Sequence, residues 1–482
     1  MKILKYTALA CALFTSSCGS SFLEVEPIGQ MGKDQLFADV NGMRDALYGS
    51  YSLAGKFFQS QYGIYGDLRA DDVERSIGGT QNYMLTDYSY SYDETDQLGS
   101  TQIVWASGYE VINNINNIIE AGKILKASNP SRLADIDAYV GQAEVMRGLM
   151  FFALANVYGQ HYTYTADASH LGVPIPLKTP LPSERVARAT MKETYAQIVA
   201  DLESGAKLLS KADKKSRIYA SQQAAEALLS RVHLYMENYD QVIQLSTKLI
   251  ESGEFPLVKA DNYKEMFIAS DQLNWKVSSE VIWQFSLSIR YPNYMSSFYS
   301  DSDAFLAHPK ASFLDLFEEG DSRKDMFEFN KIKEKYMSLK NAKSANVTDI
   351  NWPVNVKVFR AAELYLNRAE AYVHKKQYEL AVADLKVIIA RAKAIEPSAV
   401  NVDYKSPEEL LTIIKNERRK ELAFEGHRIY DIMRYKSALD RGANCNTGIC
   451  KLSYPNDLFI LPIPKSELDA NNLIKPNPTV NN

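Results

Sequence analysis

"ERRKELAFEGHRIYDIMRY", residues 417–435, gathers Glu, Arg, Lys, His and Asp so densely that it has two readings, a catalytic centre or a charged structural helix. Spacing separates them. Glu417 and Lys420, Arg418 and Glu421, Glu425 and Arg428, and Asp431 and Arg434 are opposite charges three residues apart, which sets each pair side by side on a helix. Catalysis requires no such ladder. Leu422, Ile429 and Met433 follow a seven-then-four spacing, so one face is apolar and turns toward a core. The stretch predicts a structural helix, and Gly426 predicts a close approach by a neighbouring element.

The surrounding chain supports a large helical core. From Val356 to Ala394 the pattern is helical, and "RAEAYVHKKQYELAVADLKVI" places Ala369, Tyr372, Ala381 and Leu385 at the spacings of a tetratricopeptide helix pair, where small residues let antiparallel helices approach. "SRVHLYMENYDQVIQL" reads as a poorer copy with a turn shorter by two residues. Helical pattern also runs from Thr190 to Leu209 and from Ser221 to Ser252. Further upstream, "IVWASGYEVINNINNIIEAGKIL" carries Val104, Ile112, Ile115, Ile118 and Ile119 on a helical period until Pro130 stops it. "YVGQAEVMRGLMFFALANVYG" ends at Gly159, and the proline-punctuated "HLGVPIPLKTPLPSE" after it predicts a loop. Between Phe255 and Asn351 the helical pattern breaks down. Such helix pairs cannot bury their apolar faces alone, so several pack together, and the absence of low-complexity linkers argues for one interlocked globule.

Composition excludes several functions. With 46% hydrophobic and 23% charged residues, the 482-residue chain resembles ordinary folded proteins. A formal charge of −5 with no cluster of Lys and Arg argues against nucleic acid. His161, His170, His233, His308, His374 and His427 never fall at ligand spacing, so no metal site is expected. Glycine-rich phosphate loops and nucleophile elbows are missing, so neither a cofactor nor an enzymatic activity is expected. Asp71 and Asp72 form a carboxylate pair, but among 59 acidic residues solvated charge explains such a pair.

The amino terminus reads as a bacterial export signal. Lys2 and Lys5 precede the apolar run Tyr6 to Phe14, which is too short to span a bilayer, and "TSSC" ends it at Cys18. Residues 1–17 are thus a signal peptide, with either lipid on Cys18 or cleavage nearby to give a soluble secreted chain. Thr15 stands where lipoprotein signals usually carry Leu. In an oxidising compartment "CNTGIC" offers Cys445 and Cys450 as a disulfide, the alternative being two free thiols.

Aromatics mark the candidate binding residues. Tyrosine is abundant, 30 against 19 phenylalanines. In "YMLTDYSYSYDETD", Tyr88, Tyr90 and Tyr92 alternate, so an extended chain sets all three rings on one face. That face meets either a pyranose or the core. "SIRYPNYMSSFYSDSD" adds Tyr291, Tyr294, Phe298 and Tyr299 in an irregular segment, and Trp275 and Trp352 lie beside helix breakers in polar surroundings. Trp105 and Trp283 read as core.

In order and spacing, "SSCGSSFLEVEP", "FADVNGMRDALYGSY", "WASGYEVINNINNII", "AEVMRGLMFFALANVYG", "GVPIPL", "FEEGDSRKDMF", "FRAAELYLNRAEAY", the opening stretch and "FILPIPKSEL" resemble the SusD/RagB family of Bacteroidetes outer-membrane lipoproteins. The resemblance implies a mostly α fold, with tetratricopeptide-like helix pairs as a scaffold and an irregular, loop-rich ligand-binding side. It implies an N-terminal region over 18–220 and a C-terminal region over 221–482. It also implies an oligosaccharide-binding protein, held at the outer membrane through Cys18, that acts with a SusC-type TonB-dependent barrel in nutrient uptake. A peptide-binding member and a secreted glycosidase remain as alternatives. Ligand residues do not carry over, so Tyr88, Tyr90, Tyr92, Tyr291, Tyr294, Trp275 and Trp352 rest on composition alone.

Overall fold

The computed structural model describes residues 32–76, 82–96, 99–181, 183–211, 216–268, 277–286, 294–300, 305–342, 355–442, 445 and 447–478. Eleven of its helices carry the architecture: α1 (Val40–Gln59), α2 (Gln61–Leu68), α3 (Ser100–Ser128), α4 (Leu133–Tyr158), α5 (Met191–Leu208), α6 (Gln222–Tyr235), α7 (Tyr239–Glu251), α8 (Ala361–His374), α9 (Tyr378–Lys393), α10 (Pro407–Glu421) and α11 (Arg428–Arg434). Each of α3 to α8 packs on the next, and α8 also packs on α9 and α10. The succession continues from α7 to α8 across more than a hundred intervening residues. The described residues among them form short helices and strands joined by loops.

Local chemistry starts and stops these helices where the residues require it. Thr190 and Glu193 form a reciprocal capping box at the head of α5. Ser406 caps α10 ahead of Pro407, with Glu408 and Glu409 in the first turn and Arg418 to Lys420 in the last, each sign on the favoured end of the helix dipole. α4 is buried on all sides from Val145 to Tyr158, which makes it the central helix. One apolar core runs from Val40 to Ile474, and both core tryptophans are buried in it. A smaller core joins α8, α9 and α10 through Ala369, Tyr372, Ala381, Leu385, Leu410 and Ile414.

Three expectations change. The turn of the poorer repeat is not shorter: residues 236–238 and 375–377 link their helices with turns of equal length. Each has a left-handed residue, Glu237 at φ 58° or Lys376 at φ 60°. Each closes with the same backbone bond, Asn238 N–H to His233 O at 2.9 Å and Gln377 N–H to Tyr372 O at 2.8 Å. Dissimilar side chains hid a shared backbone geometry. Second, Val356–Arg360 is a strand and not the start of a helix. Of the strands β1 (Val73–Arg75), β2 (Val281–Phe285), β3 (Ala307–Pro309), β4 (Phe327–Asn330), β5 (Lys335–Ser338) and β6 (Val356–Arg360), the last pairs antiparallel with β2, and β1 pairs with β3.

Third, residues 417–435 form two helices. α10 ends at Glu421, and α11 begins at Arg428 after a turn in which Phe424 and Gly426 are left-handed, at φ 60° and 82°. Gly426 also meets Gly66, where a Cβ would lie 2.0 Å from the Gly426 carbonyl oxygen, so the close approach holds. Leu422, Ile429 and Met433 are all buried. Of the four intrahelical pairs, Glu417–Lys420 and Asp431–Arg434 form. The break between helices redirects other charges to distant partners. Glu421 meets Arg360 at 3.0 Å, Arg391 at 2.7 Å and Arg323 at 3.4 Å; Arg418 meets Asp431 at 3.0 Å; Arg428 meets Asp71 at 2.7 Å. Asp71 and Asp72 are therefore not a solvated pair, because Arg428 and Arg419 bind them at a largely buried junction.

Candidate ligand-binding face

β1 and β3 bring two distant loops to one face. Glu74 lies opposite His308, and Ser76 N–H extends the pairing to Leu306 O at 2.8 Å. The short helix Tyr294–Tyr299 sits against this ladder, with Leu306 N–H donating to Phe298 O at 2.9 Å. Met295, Phe298 and Tyr299 turn inward, and Tyr299 meets Phe424 edge-on at 5.0 Å. With its neighbours holding the helix down, Tyr294 is left outside at 37% exposure.

Tyr294 stacks on Tyr83, with ring centroids 6.0 Å apart and planes 17° from parallel, and Phe298 supports Tyr83 edge-on at 6.0 Å. Arg75 of β1 fixes Tyr83 through a 2.9 Å bond to its carbonyl. Among the described residues the Tyr83 hydroxyl has no hydrogen-bond partner, and burial raises its pKa, so it remains a neutral donor. Chemically the pair offers a half-exposed aromatic surface, with the Tyr83 hydroxyl buried behind it, and such a ring surface suits the apolar face of a ligand.

Of the residues proposed from composition, Tyr294 lies in this stack; Tyr83, which opens the quoted "YMLTDYSYSYDETD", is not among them. Its tyrosine neighbours had other roles. Leu85–Ser89 is a single helical turn flanked by left-handed Met84 and Tyr90, so the segment is not extended and its rings do not share a face. Tyr88, Tyr90 and Tyr92 are 0%, 1% and 5% exposed, which leaves no ring surface for a sugar. The Arg69 guanidinium lies over Tyr65, Tyr90 and Tyr92 at 4.9, 4.4 and 4.7 Å, and that of Arg441 over Tyr88 and Tyr90 at 4.4 and 5.1 Å. Tyr90 O–H donates to Arg69 O at 2.5 Å, and Tyr92 O–H donates to Leu458 O at 2.7 Å. These tyrosines brace the face from behind. Tyr291, Trp275, Trp352 and Cys18 lie outside the described residues. Cys445 and Cys450 form the disulfide, with Cα atoms 5.7 Å apart.

The carboxylates of the charge network do not form another candidate site. Burial opposes ionisation of Glu425, yet Arg360 and Lys340 outweigh it and hold its pKa down at about 2. Two bonds of 2.8 Å from Arg360 and one of 2.7 Å from Lys340 occupy its oxygens. A carboxylate so held is a poor general acid or base near neutrality.

A helical-repeat scaffold carrying a loop face with an exposed aromatic stack defines the class. Residues 22–234 match the family model described as starch-binding and associating with the outer membrane, and residues 312–479 match that of the SusD family. The chain belongs to the SusD/RagB family. It is 27% identical to a SusD superfamily protein from Bacteroides thetaiotaomicron, with 91% of this chain and all of that one covered and a TM-score of 0.80. A SusD-like carbohydrate-binding protein from Bacteroides vulgatus shares the fold at 22% identity, over 90% of this chain and 97% of that one, with a TM-score of 0.73. SusD-like protein P38 of Formosa agariphila is 23% identical over 88% of this chain and 89% of its own. Among the described residues no helix is long and apolar enough to cross a membrane.

Proposed function

We propose that the protein is a cell-surface oligosaccharide-binding lipoprotein. It is held at the outer membrane by lipid on Cys18 and hands its ligand, unmodified, to a SusC-type TonB-dependent barrel for import. The observation that carries the binding function is the Tyr83–Tyr294 stack on the loop face, in a family whose model is described as starch-binding. Sugar C–H faces pack on such rings while polar groups orient the hydroxyls. Tyr291, Trp275 and Trp352 remain proposed contacts on composition, whereas Tyr88, Tyr90 and Tyr92 are replaced by Tyr83. The N-terminal and C-terminal regions, divided near residue 220, are proposed to act as one body, which the core shared from Val40 to Ile474 supports.

Calorimetry against a panel of oligosaccharides, with peptides as the contrasting class, tests the reading. Expected are micromolar to millimolar saccharide affinity, weakening in Tyr83→Ala and Tyr294→Ala, and no product after long incubation. Binding of peptides alone, or product accumulating with time, overturns it. For the anchor, Cys18→Ala is expected to abolish acylation and release the protein from membranes, since a lipid chain supplies about 0.8 kcal/mol per buried CH₂. Membrane partition that survives this change in cells lacking the barrel would refute lipid anchoring.

A further inference from the structure

Beneath the helix Tyr294–Tyr299 lies a cavity of about 60 Å³. Asn156 of α4, Arg231 of α6 and Tyr430 of α11 contribute to its lining, together with Lys340, Lys357 of β6 and Glu425. On the measure by which one water needs about 10–15 Å³, its volume holds a few waters or one small ion.

The polar groups around this space are unevenly matched. Glu363 takes Arg231 in bonds of 2.7 and 2.6 Å, and Glu425 takes Lys340 at 2.7 Å. Glu425 is in turn held by Arg360, so its charge is already answered twice. His427, also on the wall, stays neutral because burial lowers its pKa to about 4. Lys357 is different. Among the described residues it has no carboxylate within ion-pair distance; its ammonium donates to Asn355 O at 3.3 Å and lies 5.1 Å from the Phe267 ring centroid. Two further donors on the wall are poorly matched. Asn156 is 5% exposed with no partner for Nδ2, and Tyr430 is 6% exposed with no well-formed bond from its hydroxyl, whose polar neighbour is Tyr62. A buried donor without an acceptor, as at Asn156, is costly, and Lys357, which has no ion pair and meets the Glu425 charge only at longer range, sets a cation beside it, so the pair suits an acceptor that carries negative charge.

We infer that this cavity binds one small monovalent anion, of halide or formate size, held by the Lys357 ammonium with Asn156 and Tyr430 as further donors. Burial lowers the Lys357 pKa to about 8, so the ammonium still predominates at neutral pH and the anion has a charge to answer. Phe58, Phe152, Phe267 and Met295 complete the lining with apolar surface, where a single ion pair is stronger than in water. Met295 adjoins Tyr294, so the anion braces the underside of the aromatic face and joins it to the scaffold.

Crystals of the mature chain grown in sodium bromide test the site directly. Expected is an anomalous bromide peak inside the cavity in contact with Lys357, absent in Lys357→Met. In solution, replacing gluconate, a bulky organic anion, by chloride at equal ionic strength should raise Tm by about 1–2 °C at ten times Kd. Lys357→Met and Lys357→Gln should both lose that rise. Water alone in the cavity while bromide occupies other sites overturns the proposal. A chloride-specific rise that persists in both variants also overturns it.

Discussion

Buried arginines hold together two regions of this molecule, and they are neutralised in opposite ways. Around α10 and α11, Arg323, Arg360, Arg418 and Arg434 each meet one or more carboxylates at 3.0 Å or closer, among them Asp321, Glu417, Glu280, Glu421, Asp431 and Glu370. Behind the loop face, Arg69 and Arg441 are solvated by tyrosine rings and backbone carbonyls. In sequence the carboxylate network resembles a catalytic centre and the tyrosine cage resembles a sugar platform, yet both are structural. A buried guanidinium requires partners on all sides, and whichever polarisable groups supply them are unavailable to a ligand.

The sharpest way to break this comparison is to remove a cation from the carboxylate network. Arg360→Ala leaves Glu280 and Glu421 buried with fewer partners, and both are fully buried in the wild type. Stripping one partner from such a pair costs about 3–5 kcal/mol. A large fall in Tm is expected, with saccharide affinity per folded molecule unchanged. Retained Tm with lost binding would place the network in the function after all.

Acid should next distinguish two largely buried carboxylates at the α10–α11 turn, Glu425 and Asp67, the latter of which accepts from Gly426 N–H. The Glu425 pKa is depressed to about 2 from an ordinary 4.5, so the folded state binds fewer protons than the unfolded chain between those values. Its contribution is present above pH 4.5 and lost as pH falls toward 2, about 3 kcal/mol in all. Glu425→Gln should flatten that acid limb in denaturant titrations. Asp67 has the opposite sign. Burial raises its pKa to about 7 from 3.8, so the folded state binds the extra proton and stability declines as pH rises from 4 to 7. Asp67→Asn should remove that decline. If both variants keep the parental profile, these charges are not coupled to folding.

Much of this was legible in the sequence, but only where the decisive contacts are local. The three-residue charge spacing and the apolar Leu422, Ile429 and Met433 announced a structural element. The partners of that element, Asp71, Arg323, Arg360 and Glu370, lie between 61 and 357 residues away, and no spacing rule reaches them. The same distance hid the burial of Tyr88, Tyr90 and Tyr92, which Arg441 and Leu458 enclose from the far end of the chain. Tyr83 was legible as an aromatic yet unremarkable, because its selection depends on Tyr294 more than two hundred residues later.

A gentler change probes the tyrosine cage. Tyr90→Phe keeps the ring over Arg69 and Arg441 and deletes one hydrogen bond, from the hydroxyl to Arg69 O. That carbonyl still accepts from Arg441 at 3.1 Å, so no acceptor is stranded. The expected cost is about 1 kcal/mol of stability, measured by denaturant midpoint, with ligand affinity untouched. A drop in affinity without a change in midpoint would return Tyr90 to the binding face.

Tyr294→Ala should have the smallest effect on folding and the clearest effect on function. The ring is partly exposed, and its measurable structural contact is the stack on Tyr83, a class of interaction that contributes about 0.5–1.5 kcal/mol. Its removal should therefore lower stability by about 1 kcal/mol or less. A saccharide that covers about 60 Å² of ring at about 25 cal/mol per Å² gains about 1.5 kcal/mol, so the variant should bind roughly tenfold more weakly. Against a total binding free energy of about 4–8 kcal/mol for a millimolar to micromolar ligand, that loss is readily measured by calorimetry. Tyr294→Trp, which retains and enlarges the platform, should keep or improve the affinity. Equal binding by Tyr294→Ala, Tyr83→Ala and the parent protein would show that the exposed stack is no more a sugar platform than the caged tyrosines behind it.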